Sequence, residues 1–113
     1  MDEVKNTKLI LNTPSQAEDE VALATTGIAV DYTKKDDGKI LILLNNSGTA
    51  ATCTIPKGNG LQGTTDLEIT LPASKVTVIT VESGKFVNVY GQNKGQLILK
   101  GAATIKARVI ELP

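Results

Sequence analysis

Histidine and tryptophan are both absent from this 113-residue chain, cysteine occurs once, and aromatic residues make up only 3%. Each deficit removes a class of chemistry. Without histidine, no imidazole base can stand beside Ser15, Ser47, Ser74 or Ser83, so nucleophilic catalysis of the serine–histidine kind is excluded. Zinc goes with it, because tetrahedral zinc sites are built mainly from His and Cys. The single Cys53 cannot close an internal disulfide, and in Ala51-Thr-Cys-Thr-Ile55, with no basic neighbour, it reads as an inert core thiol. Tyr32, Phe86 and Tyr90 are too few and too scattered to form a stacking platform for nucleic acid. No run approaches the ~20 apolar residues that a membrane-crossing helix needs. The opening Met1-Asp-Glu-Val-Lys-Asn lacks the basic-then-apolar order of a signal peptide, so synthesis in a cytoplasm is expected.

Charge is balanced overall, with 12 basic and 12 acidic residues, and a net charge of zero supplies no whole-molecule attraction to nucleic acid or to an anionic membrane. Its distribution is uneven. Residues 1–38 carry four lysines against eight Asp and Glu, a net of −4, and residues 39–113 carry eight basic against four acidic, a net of +4. An acidic front of this kind is either ordinary solvated surface or an arm suited to a basic partner or a neighbouring copy.

What the chain does have is short apolar runs punctuated by turn residues. Ile40 to Leu44 is the clearest, entered from Asp36-Asp37-Gly38 and left through Asn45-Asn46-Ser47-Gly48. With only about eight residues between turn signals, the flanks select strand over helix, and Lys39–Asn45 reads as a central strand covered on both faces. The alternating Ala51–Ile55 reads as its hairpin partner. Period two continues through Gly27–Thr33, Asp66–Leu71 stopped by Pro72, Lys75–Glu82 with β-branched residues on both faces, Lys85–Tyr90, Gln96–Lys100 and Ala103–Leu112. Residues 1–20 read as an extended N-terminal arm containing one apolar run, Leu9-Ile10-Leu11. A helix at Pro14–Ala24 has some local support, but Thr25-Thr26-Gly27 breaks it. The expectation is an all-β, single-domain antiparallel β-sandwich or jelly roll of about eight strands over residues 21–113, with the arm preceding it. A domain of this length buries about 65% of its unfolded surface without disulfides or metals.

Gly58-Asn59-Gly60-Leu61-Gln62-Gly63 matches the dinucleotide-binding glycine pattern in letters alone. That pattern works by placing a pyrophosphate on the N-terminus of a helix that begins at the last glycine. Here Thr64-Thr65-Asp66 and a strand follow, so the expectation is a glycine-rich loop able to lie flat against another surface. Asp31, Asp36 and Asp37 carry oxygen ligands but in no calcium-loop spacing, and they read as turn residues. Asp66 and Glu68 share a strand face as any solvated acids do. No cofactor, no metal and no catalytic residue is assigned, and the expectation is a protein that is not an enzyme.

From Lys39 to Pro113 the chain resembles the small head-decoration, or cement, proteins of tailed bacteriophages. The likeness is carried in order by Asp37-Gly38-Lys39-Ile-Leu-Ile, Asn45-Asn46-Ser47-Gly48 with Ala50-Ala51-Thr52, Lys57 through Gly63 with Asp66-Leu67, Glu82-Ser83-Gly84-Lys85-Phe86, and Val109-Ile110-Glu111-Leu112-Pro113. The resemblance implies a virion protein that binds the outer capsid surface at junctions of the major capsid protein, often as a homo-oligomer, with a trimer favoured, and with no nucleic acid or membrane partner. For the capsid or subunit contact, the residues expected are Val4, Leu9, Ile10 and Leu11 of the arm, which could add an edge strand to a partner's sheet, and Gly58, Asn59, Gly60, Leu61, Gln62, Gly63, Thr64 and Thr65 of the glycine loop. The alternatives are a carbohydrate- or receptor-binding sandwich, which usually presents exposed Trp or Tyr, and another virion part such as a head fibre or tail component.

Overall fold

A computed structural model describes residues 1–33 and 36–113. The apolar run at 40–44 sits where its sequence places it. Strand β5 (Ile40–Asn46) is hydrogen-bonded on both edges, to β10 (Ile105–Glu111) over seven residues and to β8 (Lys75–Ile79) over five, both antiparallel. Ile40, Ile42 and Leu44 are fully buried beneath it, with Ile105, Ala107 and Val109 beside them. Its other face is only half covered: Leu41, Leu43 and Asn45 retain partial exposure.

The remaining edge of β10 is shared end to end. Strand β2 (Asn6–Lys8) pairs parallel with Val109–Glu111, and β3 (Val21–Ala22) pairs antiparallel with Lys106–Ala107. A second group pairs β1 (Glu3–Val4), β4 (Ile28–Asp31) and β9 (Gln96–Leu99), and a third pairs β6 (Ala51–Ile55) with β7 (Leu67–Leu71). Lys100 joins the last two, because its N–H donates to the Thr54 carbonyl and its carbonyl accepts from Thr54 N–H, both at 2.9 Å. The molecule therefore has two layers around one aliphatic core of Ile28, Val30, Ile42, Leu44, Cys53, Ile55, Leu71, Leu97 and Leu99. Its shortest extent, 22 Å, suits two sheets packed about 10 Å apart with side chains outside them. Among the described residues this gives ten strands and one helical turn, α1 (Ser83–Phe86), an all-β fold.

Four expectations change. Ala51–Ile55 does not pair with β5, because both edges of β5 are already occupied; β6 crosses into the other layer and pairs with β7. The corner is made by Asn46, a fully buried polar residue. Its Nδ2 donates to the Thr49 carbonyl at 2.8 Å and lies 3.3 Å from the carbonyls of Leu71 and Pro72, while its Oδ1 accepts from Gly48 N–H at 3.1 Å. One amide thus ties the end of β5 to the start of the crossover and to the end of β7. Second, Lys75–Glu82 is not covered on both faces: β8 is an edge strand, with Val76 and Val78 each 55% exposed. Third, Lys85–Tyr90 is not a strand. Its backbone goes instead into α1, where Val87 N–H donates to the Ser83 carbonyl, and into bonds with Gly58 and Asn59 on one side and with Gly95 and Gln96 on the other.

The fourth concerns the arm. Residues 3–8 are extended, as expected, but they lie along their own domain. β1 binds the second layer through Val4↔Val30 and β2 binds the first through Thr7↔Ile110, so one short run closes the sandwich edge across both layers. Both pairings are parallel, which makes the sheets mixed rather than purely antiparallel. Residues 14–20 then return over the outside of the first layer, where Glu18 N–H donates to Thr7 Oγ1 at 2.9 Å and Arg108 Nε donates to the Glu18 carbonyl at 3.0 Å.

Replacing Asn46 with alanine leaves buried carbonyls and the Gly48 N–H without their partner, a loss of about 2–4 kcal/mol for several bonds removed together. Urea unfolding of Asn46→Ala is expected to show a lower midpoint with an unchanged slope; a midpoint matching wild type would show that the amide does not hold the corner.

Candidate interaction surface

Eight large apolar side chains are exposed among the described residues, and they fall in four places: Met1; Ile10 and Leu11; Val76 and Val78; and Leu61, Val89 and Tyr90. The last group is the one built on a held framework. The loop 58–63 folds back on itself, with Gly63 N–H donating to the Gly60 carbonyl at 3.1 Å. It packs so tightly that a Cβ on Gly63 would stand 2.0 Å from the Gly58 carbonyl oxygen, and one on Gly58 would stand 2.6 Å from the Val87 carbonyl oxygen. These two glycines are required by backbone approach rather than by turn conformation.

Three bonds pin the loop to 85–90. Gly58 N–H donates to the Lys85 carbonyl at 2.9 Å. The Asn59 side chain imitates a strand residue, since its Nδ2 donates to the Tyr90 carbonyl at 2.9 Å while its Oδ1 accepts from Val89 N–H at 2.8 Å. Leu61 is left at the tip, fully exposed, and the position a Gly60 Cβ would take is 3.5 Å from both Val89 methyl groups. Leu61, Val89 and Tyr90 are thereby presented together. Next to them opens a cleft of about 610 Å³ lined by the buried Tyr32 and Val87, by the exposed Val89 and Lys94, and by Ser83 and Asn88.

Of the expected contact residues, Gly58 through Thr65 therefore form one ordered loop, although Gly58 itself is buried and faces the protein's own chain. The loop leads into β7 and no helix starts at Gly63, so the pyrophosphate-cradling reading of its glycines has no support. The arm residues separate. Val4 is in the core at 3% exposure and is no contact for a partner, because the alternation that buries it also pairs it with β4. Leu9 is half-buried, its N–H given to the Glu111 carbonyl at 2.9 Å, and Ile10 and Leu11 stand exposed on a turn in which Thr13 N–H donates to the Ile10 carbonyl. No hydrogen bond or strand pairing among the described residues joins 9–11 to 58–65. Val89, Tyr90 and the cleft were not foreseen. Tyr90 stood at the end of a segment read as a strand, and the Asn59 bonds that place it have no local sequence signal.

The three aspartates are engaged in turns and joints. Asp31 Oδ1 accepts from Thr33 N–H at 2.8 Å, the Asp36 carbonyl accepts from Lys39 N–H, and Asp37 Oδ2 accepts from Ser83 N–H at 3.1 Å. Two buried groups are shifted. Burial pushes the Cys53 thiol from 9.0 up to about 11, which keeps it protonated and unreactive. Burial, with a smaller contribution from the Asp37 carboxylate, pushes the Tyr32 hydroxyl from 10.0 up to about 12, and that hydroxyl has no hydrogen-bond partner among the described residues. The chemistry of this surface is apolar contact framed by amide and lysine donors.

Comparison with protein-family models, with curated protein sequences and with solved structures finds no match.

Tyr32 supplies a test of the cleft wall. An unpartnered buried hydroxyl costs about 1–3 kcal/mol, so Tyr32→Phe is expected to be neutral or stabilising at pH 7. Because the folded-state pKa is raised, the tyrosine's contribution is complete below pH 10 and is lost as pH climbs from 10 toward 12. Melting temperature against pH should fall less steeply over that window in Tyr32→Phe than in wild type. A destabilised variant with the wild-type profile would mean that the hydroxyl is bonded.

Proposed function

We propose that this chain is a structural protein of a phage virion, a head-decoration or cement protein that binds the outer surface of the capsid and stabilises it without catalysing a reaction. The observation that carries the reading is the held presentation of Leu61, Val89 and Tyr90. Three exposed apolar side chains on a loop pinned by Asn59 and Gly58 lose little further freedom on docking, so their burial goes into affinity. The major capsid protein is the partner in this reading, and the glycine loop with Val89 and Tyr90 is the contact, with Ile10 and Leu11 as a second point. The ordered sequence likeness from Lys39 to Pro113 supports the assignment to decoration proteins. The zero net charge and the sparse aromatics fit a protein partner better than nucleic acid or membrane.

One observation favours the glycan- or receptor-binding alternative: Tyr90 is 63% exposed near a cleft whose rim carries Ser83, Asn88 and Lys94. A lone tyrosine is a small stacking surface for a sugar.

Both readings meet in one assay. The purified chain is mixed with expanded capsids and with unexpanded procapsids assembled from a tailed-phage major capsid protein of the same source, and co-sedimentation is measured. Binding is expected to saturate at a fixed ratio to capsid subunits on expanded shells only, and Leu61→Asp combined with Tyr90→Asp is expected to weaken it at least tenfold, about 1.4 kcal/mol or more, with unchanged circular dichroism. Binding to neither shell, or equal binding by the double variant, would contradict the reading, and glycan capture lost in Tyr90→Ala would replace it.

A further inference from the structure

We infer that β8 is a self-association edge, and that two copies join antiparallel through Lys75–Ile79 about a two-fold axis passing at Thr77. The inference does not rest on the capsid reading. It starts from an unpaired row of backbone groups. β8 pairs with β5 along its whole length, and among the described residues no other strand or loop bonds to residues 75–79. Open edges are normally guarded by charge, proline, brevity or a covering loop. Three other edges are guarded: β1 has two residues, β7 carries Glu68 within it, and β6 is bridged to Lys100. β8 has five residues and a single charge, Lys75, at its first position. It also has two outward valines, each 55% exposed, and the outer face continues apolar into Leu43, which lies opposite Val78.

The occupant is another β-strand, because only a strand satisfies such an edge, and three features select a second copy. Val76-Thr77-Val78 reads the same in both directions. Antiparallel pairing about Thr77 sets Val76 of each copy opposite Val78 of the other and Thr77 opposite Thr77, the aliphatic and threonine pairs that stabilise adjacent strands. In that register each Lys75 faces the other copy's Ile79, and the two lysines stand roughly 13 Å apart, beyond the screening length at physiological salt. A parallel partner would bring them together. The net charge of zero also means that two copies approach without mutual repulsion. Five paired residues per copy bury less than the ~1,200 Å² of a standard interface, so the dimer is concentration-dependent and fills where many copies are gathered.

The experiment is sedimentation equilibrium of the full chain from about 5 μM to 1 mM, a span that brackets weak self-association. Wild type is expected to pass from monomer to dimer. Val76→Lys combined with Val78→Lys, at positions already half exposed, is expected to raise the dissociation constant at least tenfold with unchanged circular dichroism. Thr77→Cys is expected to give a disulfide-linked dimer on mild oxidation, because the two-fold sets the position opposite itself, whereas Glu68→Cys is not; native Cys53 is buried and takes no part. A wild type that stays monomeric throughout, that forms a trimer, or whose dimer is untouched by the two lysines would overturn the inference. So would a dimer that leaves Thr77→Cys unlinked.

Discussion

Hydrogen bonding on both edges of β5 is the constraint from which the rest of this structure follows. Pairing to β10 along all seven residues and to β8 over Ile42–Asn46 occupies both edges at the end where β5 hands over to the next strand, so that strand pairs elsewhere. Asn46 makes that departure possible. A residue with no solvent exposure at the end of an aliphatic strand would be costly if its amide were unmet, and here the amide is met four times, by the chain that leaves and by the chain that returns. The N-terminal run then closes the edge between the two layers, with β1 on one and β2 on the other, so the first eight residues belong to the stability of the domain.

The same economy of edges separates the surfaces available for contact. Inside, the core is aliphatic, and burial holds its thiol and its tyrosine hydroxyl in their neutral forms. Outside, exposed apolar groups stand where the fold cannot cover them. One set, Leu61 with Val89 and Tyr90, is fixed by a loop whose glycines allow backbones to touch and whose Asn59 substitutes for a missing strand. The other, Val76 and Val78, lies on the last strand of the larger sheet, where a further strand would continue it. On the function proposed above, the first would be a rigid contact to the shell and the second a weaker contact between copies.

Much of this was legible in the sequence. Period two in 28–32, 67–71 and 105–111 named those strands and their inward residues, and the turn residues flanking the apolar run 40–44 named the central strand; together they pointed to the all-β class. Pro72 ended its ladder as proline does, and the glycine loop was recognisable from the absence of a following helix. What was not legible was pairing. Ala51–Ile55 alternates well enough to partner any strand, and only the occupied edges of β5 exclude the nearest. Lys75–Ile79 shows why apolar residues on both faces are ambiguous: a strand buried on two sides and an open edge awaiting another chain share the same letters. Lys85–Tyr90 failed because its backbone bonds go to 58–59 and 95–96, contacts set by the tertiary fold. Val4 was misread because an apolar residue near a terminus looks available until its own domain has claimed it.

The central claim is that β5 is paired on both edges, to β10 and to β8, and that β6 pairs in the other layer. Backbone proton–proton contacts by NMR test it most directly. The account predicts that Leu44 shows contacts to both Thr77 and Ala107, and that Cys53 shows its cross-strand contacts to Ile69. Contacts from Leu44 or Ile42 to the backbone of Ala51–Ile55, in place of those to β8, would contradict it.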